Sequence, residues 1–353
     1  MIPHSRPTLG EEEKKACEAV LDSLQIAQSE KARAFEEIFC DLLGRRYAVA
    51  VSSGTSALIL SLTALEISKG DEVICPSFAC VALLHAIDAV GARPVLADID
   101  LEDFNISVSD LKKKIRKRTK VVIVPHAFGR ASRMNEILKL GIRVVEDGTQ
   151  ALGARAGGKK VGSFGEVSLF SFYATKMITT GEGGMILTDS SRVAQKLFDL
   201  RDYDKKENYQ PRTNSKMTDL EAAIGIEQVK KLPFFIQRRR EIASRYREAF
   251  QGSGAALPVE DEDRDHVYYR YVVRVPKKSK QWLRELQGRG IDAKRPLFKP
   301  LHRYLDFQNA SFPATTQAMK EACSLPIYPS LSAEESHEIC EAIRIPSLSH
   351  EEV

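Results

Sequence analysis

Between residues 47 and 188, short apolar runs alternate with helical stretches, and this pattern constrains the fold more than any other feature. The runs are Tyr47–Ser52, Glu72–Pro76, Pro94–Ile99, Lys120–Pro125, Ile142–Glu146, Val167–Phe172 and Met185–Thr188. Val121-Val122-Ile123-Val124 is continuous and β-branched, as a strand covered on both faces should be. Helices between such runs imply a mostly parallel α/β sheet. Ligands of such sheets lie at the carboxyl ends of strands, so chemistry is expected in the loops that follow these runs. Ahead of them the spacing predicts helices over Leu9–Leu24, whose first turn carries Glu11-Glu12-Glu13, and Ala32–Leu43, stopped at Gly44. Beyond them come a charged helix over Ile236–Phe250, an alternating strand over Val267–Val275 and a last helix over Ala333–Ile343. The expected organisation is a large α/β domain over 1–232 and a smaller α+β domain over 233–353, with a frayed tail after Pro346.

Bulk properties exclude several classes. A net charge of +4, from 52 basic and 48 acidic residues, argues against a nucleic-acid partner. The six cysteines form no C-x-x-C pair and no zinc-site spacing, so they read as reduced thiols and no metal is expected. The first residues, Met1 to Pro7, lack a signal peptide's apolar region, and no run nears the roughly 20 apolar residues of a membrane helix. A soluble, cytoplasmic protein is expected.

Three motifs carry chemistry. Ser52-Ser53-Gly54-Thr55-Ser56-Ala57 joins a strand to an apolar helix, where free N–H groups and the helix dipole make an anion site. Gly54 allows close approach and Thr55 adds a hydroxyl; the same residues also read as an ordinary N-cap. Glu146-Asp147-Gly148-Thr149-Gln150 puts a carboxylate just past a buried strand, suited to pair with a protonated ring nitrogen or simply to cap a helix. Phe170-Ser171-Phe172-Tyr173-Ala174-Thr175-Lys176, ahead of Thr180-Gly181-Glu182-Gly183-Gly184, sets a lysine near an apolar strand. Desolvation there would free its amine for Schiff-base chemistry, whereas most loop lysines are merely solvated.

In order and spacing these motifs resemble the DegT/DnrJ/EryC1/StrS family of fold-type-I pyridoxal-phosphate (PLP) enzymes, which aminate keto-sugars. The likeness covers nearly the whole chain. It includes Arg6-Pro7, Phe35-Glu36, Gly70-Asp71-Glu72, Pro76-Ser77, His126-Ala127-Phe128-Gly129, Asn214-Ser215-Lys216-Met217-Thr218-Asp219, Ala222-Ala223-Ile224-Gly225, Pro300-Leu301-His302 and Ser324-Leu325-Pro326. The segment from Ser171 to Met185 is especially like the perosamine-synthase branch. The resemblance implies that Lys176 holds PLP and shuttles protons, that Asp147 partners the ring nitrogen, and that Gln150 contacts the ring hydroxyl. It implies phosphate contacts from Gly54, Thr55 and Ser171, and from Asn214 of a neighbouring subunit, hence a homodimer with shared active sites. PLP would cycle through pyridoxamine phosphate (PMP), with a nucleotide-linked keto-sugar and glutamate as the expected substrates. Tyr173 and His302 are the candidate substrate contacts.

Two positions depart from the family pattern. Where an aromatic residue normally covers the cofactor ring stands Cys80, with Phe78 two residues earlier as the alternative; where a glycine usually precedes the Asn stands Arg212. His126 reads chiefly as a core residue with a local hydrogen bond, and Arg201, Lys205, Lys206, Arg212, Lys294 and Arg295 as solvated surface or neutralisers of a pyrophosphate. The rival functions are a sugar dehydratase, which carries histidine at the position of Lys176, and a non-catalytic PLP-binding regulator. A third, an amino-acid aminotransferase, needs an arginine aimed at a substrate carboxylate, and the sequence offers too many arginines to choose one.

Overall fold

In the computed structural model, which describes residues 1–344, the apolar runs form strands β1 (Tyr47–Val51), β2 (Glu72–Pro76), β3 (Arg93–Ala97), β4 (Thr119–Pro125) and β5 (Arg143–Asp147). A hairpin of β6 (Arg155–Ala156) and β7 (Lys159–Lys160) follows, then β8 (Val167–Ser171) and β9 (Gly184–Thr188). Seven of these build one sheet in the order β1-β9-β8-β5-β4-β2-β3. Strands β8, β5, β4, β2 and β3 run parallel, and β9 runs against both neighbours, β8 and β1. The alternation of side chains along a strand sorts the core. Val121 and Ile123 pack with the Gly54–Ala64 and Ala82–Ala89 helices, while Val122 and Val124 pack on the opposite side with Leu111, Met134 and Ile137. The expected tail after Pro346 lies outside the described residues.

Strand β1 is an edge, and unpaired edge groups need cover. Ala50 N donates to Glu36 Oε1 at 2.8 Å, and Ala50 O accepts from Arg201 Nη1 at 2.8 Å. Arg201 and Glu36 are themselves paired at 2.6 Å, so one ion pair finishes the edge.

The long helix is longer than its sequence pattern suggests. It spans Asp219–Ala249, 31 residues, and starts on a capping box in which Thr218 and Glu221 satisfy each other's backbone N–H. Pro233 sits inside it, and the helix expected over Ile236–Phe250 covers only the part beyond that proline. The helix therefore runs unbroken through position 232. Its packing changes instead: Leu232 and Phe235 join the core beneath β8 and β9, whereas Ile242 and Tyr246 join Trp282, Tyr271 and Ile339. Ile2 belongs to the second cluster and pairs with Ile291 across a β-bridge, so the chain begins on the C-terminal unit. There β10 (Tyr271–Arg274) pairs antiparallel with β11 (Ala322–Leu325). The strand expected over Val267–Val275 starts late because Tyr268 has φ 49°. Ahead of it, Val267 N and Arg270 N donate to Gly129 O and Phe128 O instead.

Gly225 marks a close approach between two helices. A Cβ there would stand 2.5 Å from Phe35 Cζ of the Glu30–Leu43 helix. Gly225→Ala gains about 1 kcal/mol of helix propensity but overpacks a buried ring, which costs about 1–3 kcal/mol. We expect a lower urea midpoint; a higher one would show that Phe35 yields freely.

Candidate active site

Because β9 reverses twice, β1 runs parallel to β8, and Val51, Gly184 and Ser171 fall in one row. The turn after β1, the loop after β8 and Asp147 at the end of β5 thus share the sheet's carboxyl edge. At the turn, Ser53 Oγ accepts from Ser56 N at 3.0 Å, an N-cap that leaves the N–H groups of Gly54 and Thr55 without partners among the described residues. A Cβ on Gly54 would lie 2.7 Å from Ser171 Cβ, so only glycine lets the turn and the Ser171 hydroxyl meet. The N-cap reading is met, and the N–H groups beside it are left available to an anion. Ser52 N donates to Ser215 O at 2.8 Å, which fixes the 213–217 segment against the turn. Asn214, next in line, is exposed.

The adjacent carboxylates of β5 have opposite surroundings. Glu146 is fully buried and accepts from His126 Nε2 at 3.0 Å and from the N–H groups of Gly162, Phe164 and Gly165 at 2.6, 2.9 and 3.1 Å. His126 Nδ1 accepts from Ser132 N at 2.9 Å, so the proton sits on Nε2 and points at Glu146. His126 has the core role read from the sequence. Burial pushes the Glu146 carboxyl up, but the His126 hydrogen bond and the backbone donors outweigh it, and the net shift is downward. Asp147, only 7% exposed, has no cation beside it among the described residues and one donor, Thr149 N at 3.0 Å. Gln150 spends its carbonyl on Phe128 N at 2.9 Å, which leaves its NH2 free to donate. Phe128 itself sits at φ 56°, a left-handed conformation uncommon for a bulky residue.

Lys176 is half-buried and has no carboxylate partner among the described residues. Its Nζ stands 5.3 Å from the ring centroid of Tyr269, a residue the sequence reading placed in an ordinary strand. The Tyr269 hydroxyl lies 3.4 Å from Thr175 Oγ1, and the Arg270 guanidinium is 5.5 Å from the same ring. Burial pushes the Tyr269 phenol up, but the Lys176 and Arg270 cations draw it down to about 8. No local signal marks Tyr269 or Arg270, which lie more than 90 residues from Lys176 in the chain.

The remaining candidates fall into place. Phe78 is buried in an aromatic cluster, its ring 5.6 Å from Phe104 and 6.2 Å from Phe128, whereas Cys80 is exposed. Tyr173 is 48% exposed. His302 is fully buried, with Nδ1 2.7 Å from Ser77 Oγ, Nε2 3.0 Å from Asn309 Oδ1 and its ring stacked on Phe312. Among the basic residues, Arg201 pairs with Glu36, Lys206 and Arg212 with Asp199, and Lys294 with Asp292. Arg295 donates to Met319 O. Arg212, in the place of a glycine, folds back onto Asp199 and Asn208 and leaves Asn214 in the open.

A buried carboxylate without a cation, an amine without an anion and an open N–H cradle together fit one group: a protonated pyridine with an aldehyde and a phosphate. This edge and sheet define a PLP-dependent transferase of fold type I. Residues 7–344 match the DegT/DnrJ/EryC1/StrS aminotransferase family, and the chain belongs to it. It is 33% identical to GDP-perosamine synthase of Vibrio cholerae over 362 residues, 98% of each chain. Among solved structures it is similar to the aminotransferase TlmJ from Streptoalloteichus hindustanus, with TM-score 0.93 and 31% identity over 98% of each chain. It is also similar to Spr1654 from Streptococcus pneumoniae, solved in PMP and PLP forms. The PMP form gives TM-score 0.93 and 26% identity over 98% of each chain. The enzyme is an aminotransferase whose cofactor cycles between PLP and PMP.

The Glu146 hub has a pH signature. A carboxyl held below its ordinary value of 4.5 stabilises the fold fully above that pH and loses the contribution as pH falls through the folded pKa. Glu146→Gln should lower stability at pH 7 by about 1–3 kcal/mol, because an amide cannot accept from every donor. It should also flatten the acid limb of a stability-versus-pH curve. An unchanged limb would assign acid sensitivity to other groups.

Proposed function

We propose that this enzyme aminates a nucleotide-linked keto-sugar with an amino group taken from an amino acid, glutamate first among the candidates. The observation that carries the reading is the pairing of the uncompensated Asp147 carboxylate with the unpaired Lys176 amine on one sheet edge. The name of the Vibrio cholerae relative supports a nucleotide-linked sugar, and keto-sugar amination suits the family.

When bound, PLP supplies the electron sink that stabilises the carbanion formed on either substrate. The chain does the rest. Asp147 keeps the ring nitrogen protonated; Gly54, Thr55 and Ser171 hold the phosphate by N–H and hydroxyl donors. The free NH2 of Gln150 orients the ring hydroxyl, and Cys80, being exposed where Phe78 is packed away, is the residue available to cover the ring. Lys176 would hold the cofactor, and its amine, when free, would serve as the base that removes and returns the proton at the reacting carbon. Tyr173, exposed on the lysine loop, remains a candidate substrate contact. His302 is a weaker one, since both its ring nitrogens are engaged.

A homodimer with shared sites is part of the proposal. Asn214 is exposed for a neighbouring subunit's phosphate, and Tyr209 on the preceding loop is 97% exposed. Among the described residues no helix is long and apolar enough to cross a membrane. A cytoplasmic location fits cysteines that are all free. The expected domains over 1–232 and 233–353 stay part of the proposal as functional units, with the long helix crossing between them, Ile2 packing with the smaller unit and Phe235 with the larger.

The absorption spectrum of the PLP-loaded protein should change on addition of glutamate as the cofactor takes up the amino group. Lys176→Ala should lose the lysine-bound absorbance and at least about 10³-fold in turnover while the fold persists, since base and covalent anchor go together. Normal turnover in that variant would refute the assignment. A wild-type spectrum that no amino donor shifts would favour the regulator. Asp147→Ala should weaken cofactor retention and slow turnover about 10²-fold or more, an electrostatic loss, with little change in thermal midpoint.

A further inference from the structure

We propose that Arg270 binds a carboxylate of the amino donor, and that Tyr269 and Thr175 hold the arginine and the lysine on either side of the place where that donor reacts. The inference rests on the aminotransferase reading above. A donor amino acid carries at least one carboxylate that must be desolvated beside Lys176, and a guanidinium is the group that compensates it best.

The structure narrows the many arginines by their existing partners. Arg6 is paired with Glu335, and Arg201 and Arg212 with Glu36 and Asp199. Arg239, buried in the long helix near Lys176, spends one nitrogen on three carbonyls, those of Tyr268, Tyr269 and Ile327. Arg270 differs. It is half-buried, and among the described residues it has no carboxylate partner; its guanidinium donates to Pro296 O at 2.9 Å and hydrogen-bonds the neutral Tyr269 side chain. Its guanidinium shares the Tyr269 ring with Lys176 Nζ, at 5.5 and 5.3 Å from the centroid. Its backbone N–H donates to Phe128 O at 3.2 Å, and Phe128 N is the group that fixes Gln150. Arg270 is therefore tied both to the lysine and to the residue expected at the cofactor's ring hydroxyl.

The surroundings suit an anion. Arg270 lines a cavity with His4, Ser5, Thr175, Tyr269 and Ile327, and none of these is a carboxylate. His4 is held neutral at neutral pH, its pKa lowered to about 3 first by burial and then by Arg270 and Lys294, and its Nε2 is taken by Ser324 Oγ at 2.8 Å. Arg270 is thus the cation of the cavity that keeps donor capacity for a ligand.

The test uses the PLP-loaded enzyme. Arg270→Leu should keep the lysine-bound absorbance and the thermal midpoint. The glutamate concentration giving half the maximal rate of cofactor amination should rise about 10- to 100-fold, as expected for a lost charge-assisted hydrogen bond, with a smaller change in the maximal rate. Arg270→Lys should recover part of the loss. Calorimetric affinity for succinate, an unreactive dicarboxylate, should fall in parallel. Glutamine tells the two carboxylates apart: an equal penalty for glutamine and glutamate assigns the α-carboxylate, and a penalty for glutamate alone assigns the side-chain one. Unchanged glutamate dependence and succinate affinity in Arg270→Leu would overturn the inference. Failure of the wild type to accept any amino donor would instead overturn the functional reading beneath it.

Discussion

Strand β9 runs against both of its neighbours, so β1 again runs parallel to β8 and the turn after it lies at the edge of the sheet where Asp147 ends β5 and the Lys176 loop leaves β8. A β1 laid antiparallel to β8 would have sent that turn to the other end of the sheet. The register is tight: a Cβ on Gly184 would lie 2.6 Å from Ser53 O, so the first residue of β9 must be small for the turn to seat. The open N–H groups of the turn, the Ser171 hydroxyl and the lysine loop all inherit their positions from this row.

Charge is handled by a division of labour along β5. Glu146 and Asp147 are neighbours, and alternation sends them to opposite faces. Glu146 meets four donors and locks the 162–165 turn and His126 into the core. Asp147 meets one, which leaves a near-buried carboxylate short of compensation. Burying an ion without a partner costs several kcal/mol, and a chain tolerates that cost where a ligand relieves it. Lys176 presents the matching deficit of opposite sign. A bound PLP would answer both at once, which is a physical reason for a site built from mutually unpaired groups rather than from an ion pair.

The C-terminal unit is joined to this edge by few but specific ties. The long helix crosses between the two cores without a break, and Arg239 within it grips the carbonyls of residues 268, 269 and 327. Those residues carry Tyr269 to Lys176 and leave Arg270 beside it. His302, buried against Ser77 and Asn309, pins the segment after Pro300 to the end of β2. Substrate-facing chemistry from the smaller unit thus arrives on a braced scaffold.

The sequence by itself determined the strands of the main sheet, the fold class and the cofactor, and it named the candidate residues around that cofactor. Runs such as Val121–Val124, the Ser53-Gly54-Thr55 turn and the Glu146-Asp147-Gly148 step are local signals: side-chain periodicity, N-cap chemistry and a carboxylate after a strand need only neighbouring residues to be read. Helix continuity through Pro233 was less legible, because tertiary packing and the Thr218 capping box outweigh one lost backbone hydrogen bond. Only the tertiary structure decided that Phe78 is packed with Phe104 while Cys80 is open, and that both nitrogens of His302 are engaged. It alone singled out Arg270 among the arginines. Each of these depends on a partner far away in the chain, and such a pairing leaves no periodic or spacing trace in a single sequence.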